Sequence, residues 1–219
     1  MNYHELIKNH PNLFSNDDAL FRIITNKEEI KNWEQQKSEI PKKYRKIGVV
    51  YEDQYICILR DLVYFPSGRI GTYFRLVNQA DFSKGTSVAV LAKYQNRIVL
   101  LNQFRHATRS WHLEAPRGFG ESNIPPEENA KNEIADEIHG EIESLLDLGP
   151  YHSNTGIEGV RSELFLANLS SIGRPNEDEG IKDYKLFDIN EVEKMISNSQ
   201  ITDGFTIAAY SRAKFRNLI

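Results

Sequence analysis

The chain has a single cysteine, Cys57, so no disulfide can close within it. That excludes the small disulfide-stapled scaffolds of oxidising compartments and makes a reducing setting the natural reading. Cys57 lies in the apolar run YICIL, where a buried, inert thiol is expected rather than a nucleophile. Long apolar runs are also missing. None approaches the roughly 20 residues that a membrane-spanning helix needs, so no membrane partner is expected. The opening MNYHELIKNH has no basic start followed by an apolar stretch, and without a signal peptide a cytoplasmic protein is expected. Nor is there an excess of positive charge. The 27 Lys and Arg against 31 Asp and Glu leave a net charge of −4, which argues against a broad nucleic-acid-binding face. Repeats and low-complexity tracts are absent as well.

What is present is a chain of 219 residues, 40% apolar and 26% charged, enough for one good core or for a main domain with an appendage. Residues 1–45 are polar and carry charge clusters such as NKEEIKNWEQQK. They read as an N-terminal extension of short helices at 3–9 and 27–37 with a strand at 21–25. Asn26 caps the second helix, and Pro41 ends the segment. From 46 to 219 strands dominate: 47–53, 55–65, 72–78, 87–94, 97–104, 111–116, 141–153, 162–169 and 182–188. Gln95 and Asn96 read as the bend of a hairpin. Helices are predicted over about 126–139, near 189–198 and from about Thr202 onward. This order predicts an α+β or mixed layered domain.

Chemistry concentrates in the stretch GFGESNIPPEENAKNEIADEIHGE at 118–141. Glu133, Asp136 and Glu137 are spaced by three and four, so they share one stripe of a helix. Crowded carboxylates repel unless a cation neutralises them, and hard divalent ions such as magnesium accept carboxylate oxygens. A glycine turn leads into the helix and permits close approach of chain and ligand. The plain alternative is a solvated acidic face. Against it stand the preceding strand and glycine turn, the apolar Ile134 and Ile138 four apart, and the basic residues of QFRHATRSW. His106, His112 and His152 lack ligand spacing and read as packing or loop residues. Tyr73, Phe74, Phe104 and Trp111 read as core, with base stacking as the alternative.

These motifs resemble the Nudix hydrolases, and within them the ADP-ribose pyrophosphatase branch. NEIADEIHG at 132–140 is similar to the second half of the Nudix signature, and Gly118 matches its leading glycine. IVLLNQFRHATRSWHLEAPRGFGE, ELFLANL, DEGIKDYKLFDINEVEKMI and ITDGFTIAAY resemble flanking segments of the branch in the same order, so the likeness spans about 47–217. The resemblance implies an α/β/α sandwich with a mixed sheet. It implies metal-dependent hydrolysis of the pyrophosphate linkage of ADP-ribose or a related nucleoside diphosphate. It further implies Mg2+ or Mn2+ as cofactor and a homodimer built through N-terminal strands. By the same resemblance Glu133, Asp136, Glu137 and the main-chain oxygen of Arg117 hold metal. Glu133, Glu137 and Glu158 are the catalytic candidates. Arg105, Glu114 and Gly118 meet substrate, with a structural salt bridge as the alternative for Arg105 and a buried hydrogen bond for Glu114.

The chain departs from the family pattern at several positions. Asn132 replaces an arginine, and Ile124 falls where a glutamate belongs, unless Glu121 or Glu127 substitutes. His139 stands where glycine is expected, Asp136 is a shorter acid, and Val160 takes the place of a water-orienting acid. The metal ligands are retained while their supporting groups are altered, and such losses commonly weaken affinity or activity by roughly 10–100-fold. A nucleotide-binding protein with weakened turnover in a regulatory role is therefore the alternative reading. Another diphosphate substrate, such as a nucleotide sugar or a dinucleotide, is a further one.

Overall fold

Tyr3–Asn9 forms a helix, α1, in the computed structural model, which describes residues 2–159 and 161–219. The Asn2 side chain accepts the His4 N–H and caps it. A 3-10 turn at Pro11–Phe14 follows, with proline at its first position. Of the strand predicted at 21–25 only Arg22–Ile23 pairs, as β1. Helix α2, Lys27–Gln35, begins where Asn26 accepts the N–H groups of Glu28 and Glu29. Strands β2 (Gly48–Glu52), β3 (Ile56–Tyr64) and β4 (Ile70–Asn78) complete an antiparallel sheet. β3 is central: β4 runs along one edge, while β1 and β2 share the other. The predicted loop after β4 is a 3-10 turn, Gln79–Ser83.

The residues up to Phe82, with a segment beginning at Asn154, make one compact unit; Ser83–Ser153 and the segment from Arg161 to the C-terminus make a second. The first unit has its own core of Leu6, Phe14, Ile24, Ile30, Ile47, Cys57, Leu59, Leu62 and Val77. Cys57 is fully buried, and burial pushes its thiol up, as an inert core cysteine requires. One buried polar group ties α1 to this sheet. Tyr3 donates its hydroxyl to Asp61 Oδ1 at 2.5 Å, and Arg75 pairs with Asp61 Oδ2 at 2.5 Å.

The second unit is built on a mixed sheet. Its strands are β5 (Ser87–Tyr94), β6 (Arg97–Arg105), β7 (Ser110–Glu114), β8 (Arg117–Gly118), β9 (Glu141–Tyr151), β10 (Ser162–Ser171) and β11 (Ile181–Phe187). The main order is β11-β6-β5-β10-β9, with β7 beside β6 and β8 beside β5. β5 and β10 run parallel, and every other pair is antiparallel. Gln95 and Asn96 both take positive φ, 50° and 61°, and close the β5–β6 hairpin at the predicted bend. The predicted strand 111–116 is interrupted: Pro116 cannot donate to a ladder, and pairing resumes only at Arg117.

Alternation along β5 and β6 sends side chains to two dry faces. Val88, Val90, Ala92, Val99 and Leu101 face helix α3 (Pro126–Ile138) through Ala130, Ile134 and Ile138. Ala89, Leu91, Ile98 and Leu100 face helices α4 (Ile189–Ser197) and α5 (Gly204–Phe215) through Val192, Ala209, Tyr210 and Ala213. Helices on both faces of a mixed sheet make the predicted α/β/α sandwich. Among the described residues no helix is long and apolar enough to cross a membrane.

The aromatic residues read as core behave otherwise. Tyr73, Phe74 and Trp111 are exposed, and Phe104 is half-buried. Trp111 lies opposite Phe104 across the β6–β7 ladder and meets it edge-on at 5.5 Å, so the two pack on each other at the surface. Tyr73 meets the Phe21 ring at 5.5 Å with the two planes tilted by 51°.

Candidate metal and phosphate site

Helix α3 carries the acidic stripe and is set by its apolar one. Ala130, Ile134 and Ile138 are fully buried on the sheet, which turns Glu133 and Glu137, one turn apart, toward the β8 strand. Glu137 is only 4% exposed, and Glu133 is half-buried. Pro126 at the first helical position and Glu127 and Glu128 in the first turn suit the start of the helix. The helix closes at His139, which adopts a left-handed φ of 48°. Its N–H donates to the Ala135 carbonyl, and its ring Nδ1 lies 2.9 Å from the Arg174 carbonyl. The glycine expected at this place would have served the same turn; Gly140 follows it one place later and closes it by donating its N–H to the Ile134 carbonyl at 3.1 Å.

Gly118 touches the Glu133 carboxylate, and any Cβ at that position would overlap its oxygens. Gly120 is pressed against the Thr86 backbone in the same way. The Asn129 side chain, fully buried, donates to the carbonyls of Thr86 and Phe119 and fixes this glycine turn to α3. The main-chain N–H of Arg117 lies near the Glu137 carboxylate and favours its charged form.

The electrostatics follow from burial. Burial pushes the Glu133 carboxyl up to about 7; the charges of Asp136, Glu179 and Glu121 push it the same way, and Arg105 opposes them. Burial pushes Glu137 up to about 8, followed by the charge of Glu133, while Arg105 and the Arg117 N–H pull it down. The charge of Glu121, in the loop before α3, reaches Glu133. Among the described residues Oε2 of Glu137 is buried without a hydrogen-bond partner.

Arg105 and Arg117 share one buried anion. Arg105 Nε donates to Glu114 Oε1 at 2.5 Å, Arg117 Nη2 donates to Glu114 Oε2 at 3.2 Å, and Glu114 is 1% exposed. Both structural alternatives, the Arg105 salt bridge and the buried Glu114 hydrogen bond, are thus formed. Arg105 Nη2 and Arg117 Nε remain buried without partners.

Asp136 is exposed on α3, although its charge reaches Glu133. Glu158 belongs to the first unit, where it bridges Leu76 and its N–H donates to the Asn154 carbonyl. Val160 lies outside the described residues. Among the described residues no three His, Cys, Asp or Glu side chains converge to hold a metal ion. The donor chemistry nevertheless fits a hard divalent cation: a half-buried and a buried carboxylate that repel each other, the buried one with an orphaned oxygen, gain from a positive charge between them.

The sequence reading missed Glu179, Asn129, Asp203 and Thr206. Asp203 and Thr206 do carry a helix-start signal, an acid three residues before a threonine. Glu179 reaches the site only because β11 lies beside β6, with Gln103 Nε2 donating to its carbonyl at 2.9 Å.

By sequence, no family model and no curated protein matches the chain. By structure it is similar to a solved crystal structure of an ADP compounds hydrolase, with a TM-score of 0.66 and 12% identity over 78% of this chain and 90% of that one. The fold is of the Nudix type. At this identity the likeness concerns the layering of sheet and helices. In this Nudix-type fold the acidic helix is α3, and the glycine turn before it begins at Gly118.

Proposed function

We propose that the protein is a Nudix-type hydrolase. It would use Mg2+ or Mn2+ to split the pyrophosphate linkage of ADP-ribose or a related nucleoside diphosphate joined to another group. The observation that carries this reading is the pair Glu133 and Glu137, half-buried and buried one helical turn apart, with the Glu137 Oε2 oxygen unpartnered. The fold shared with an ADP compounds hydrolase supports the substrate class.

Glu133 and Glu137 would hold the cation, with Asp136 and the Arg117 main-chain oxygen assigned by resemblance. When bound, such an ion neutralises charge developing on the phosphate oxygens and acidifies a bound water. The chain's own part is to hold two carboxylates that must release protons before they can ligate, so binding should tighten as pH rises. Gly118 leaves room for the Glu133 carboxylate. Arg105, whose charge reaches both glutamates, keeps one buried Nη2 free for a phosphate or ribose oxygen. Glu114 orients that guanidinium. Glu158 stands as the candidate for orienting the attacking water by resemblance. A homodimer is part of the same proposal, and light scattering tests it.

The decisive experiment offers ADP-ribose with Mg2+ or Mn2+ and follows AMP and ribose 5-phosphate by mass spectrometry in isotopic water. Turnover is expected, and Glu137→Gln should lower kcat at least about 100-fold, the upper end of what loss of a supporting group costs. The lack of a three-ligand cluster among the described residues and the asparagine at position 132 favour a second reading, a nucleotide-binding protein without turnover. Ligand binding with no product from either protein would establish it. A panel of nucleotide sugars and dinucleotides separates the neighbouring substrates.

A further inference from the structure

Thr206 is fully buried, and its hydroxyl serves two neighbours at once. Oγ1 accepts the Ala115 N–H at 2.8 Å, from 91 positions away in the sequence, and donates to Asp203 Oδ2 at 2.7 Å. Asp203 Oδ2 also accepts the Thr206 N–H at 2.8 Å and so caps α5. Oδ1 of Asp203 faces Arg117 Nη2 at 3.5 Å, and the Arg117 guanidinium lies over the Phe205 ring at 4.8 Å. The first turn of α5 therefore grips Ala115 by its main chain and Arg117 by its side chain. Between them stands Pro116, which has no N–H to anchor itself.

This grip bears on the acidic pair. The Arg117 N–H lies near enough to Glu137 to hold its carboxyl down, and Gly118 abuts Glu133 so closely that any Cβ there would overlap the carboxylate oxygens. The helix does not need the Thr206 hydroxyl for its own docking. Ala209, Tyr210 and Ala213 bury its apolar side, and Asp203 caps it through the Thr206 main chain. An apolar residue would fill the buried position as well. We propose that Thr206 and Asp203 are positioning residues, which set residues 115–118 at the height where Arg117 and Gly118 meet the two glutamates of α3. This inference rests on the reading of Glu133 and Glu137 as the ion-binding pair, because only then does their placement matter to activity.

The test compares wild type with Thr206→Val, Thr206→Ser and Asp203→Asn by Mn2+ binding calorimetry, by kcat and KM on ADP-ribose, and by exchange of the Arg117 amide. Thr206→Val should weaken Mn2+ binding and lower kcat by about 10- to 100-fold, with KM changed far less. It should also speed exchange at Arg117, an amide that Thr206 does not touch. Thr206→Ser, which keeps the hydroxyl, should restore all three. Should Thr206→Val lose exchange protection throughout its unit, Asp203→Asn carries the test. It keeps a side-chain acceptor for the cap and loses the charge facing Arg117, and the same shifts are expected at smaller size. Arg117 exchange and Mn2+ affinity within about twofold of wild type in the variant used would overturn the inference, whatever happens to stability. A wild-type protein that neither binds Mn2+ nor hydrolyses would sink the functional reading instead. Arg117 exchange would then still decide the positioning, for it if faster in Thr206→Val and restored in Thr206→Ser, against it if unchanged.

Discussion

An alanine at position 118 would drive its methyl group into the Glu133 carboxylate, the mobile end of a flexible side chain. Glu133 can swing away, so Gly118→Ala should cost little folding stability yet weaken divalent-ion binding by about tenfold or more. Thermal unfolding together with Mn2+ titration separates the two effects. The raised carboxyls make a second prediction at this scale. Glu133 moves from 4.5 to about 7 and Glu137 from 4.5 to about 8, so between those values the folded chain holds protons that the unfolded chain has released. The folded state then binds more protons than the unfolded one, and stability falls with rising pH. The contribution is whole below the unfolded value and lost as pH passes the folded values. The metal-free protein should therefore melt at progressively lower temperature from about pH 5 to about pH 8. Mg2+ should reduce that decline, and Glu137→Gln should flatten it. A metal-free melting temperature that held level across this range would show that the carboxyls are not desolvated in the way described.

At the scale of elements, α3 ends on a non-glycine residue in a left-handed conformation. A β-branched side chain there is strained by roughly 1–2 kcal/mol, so His139→Val should lower stability by about that amount. His139→Gly should be close to neutral, with relief of backbone strain set against loss of the bond to Arg174. Chemical denaturation of the pair measures the difference. In the first unit, α1 is tied to its sheet by the Tyr3–Asp61 bond, and the same carboxylate holds Arg75. Burial, and then the Asp61 charge, push the Tyr3 hydroxyl far above its ordinary value, so it stays a donor at any working pH. Tyr3→Phe leaves a buried carboxylate short of one donor and should cost about 1–3 kcal/mol, read as an earlier urea midpoint. An unchanged midpoint would mean that water replaces the phenol.

On the scale of the whole molecule, the second unit's sheet separates two dry layers, and the acidic helix belongs to one of them. Ile134, next to Glu133 in the chain, is fully buried against the sheet strands. Ile134→Ala should cost about 2–5 kcal/mol by opening a cavity beneath the acidic pair. Divalent ions should recover part of that loss if they bind the folded state alone. Most of the layering was legible in advance, because the apolar strand runs in 87–104 and the four-residue spacing of Ile134 and Ile138 are local signals. The hairpin bend at Gln95 and Asn96, the cap at Asn26 and the buried Cys57 were legible for the same reason. The surface placement of Tyr73, Phe74 and Trp111 was not, because side-chain type does not reveal which face of an edge ladder another layer covers.

The linear order of residues was sufficient to specify an acidic helix entered through a glycine turn, its solvent-averse stripe, and the strands that receive it, since each depends on neighbours a few positions apart. Tertiary structure alone decided that Glu137 would be buried with an unpartnered oxygen and that Asp136 would face outward. It also placed Glu114 between Arg105 and Arg117, and brought Thr206 to Ala115 across 91 positions. Desolvation and long-range hydrogen bonds depend on what packs against a residue, and that is settled only when the layers close.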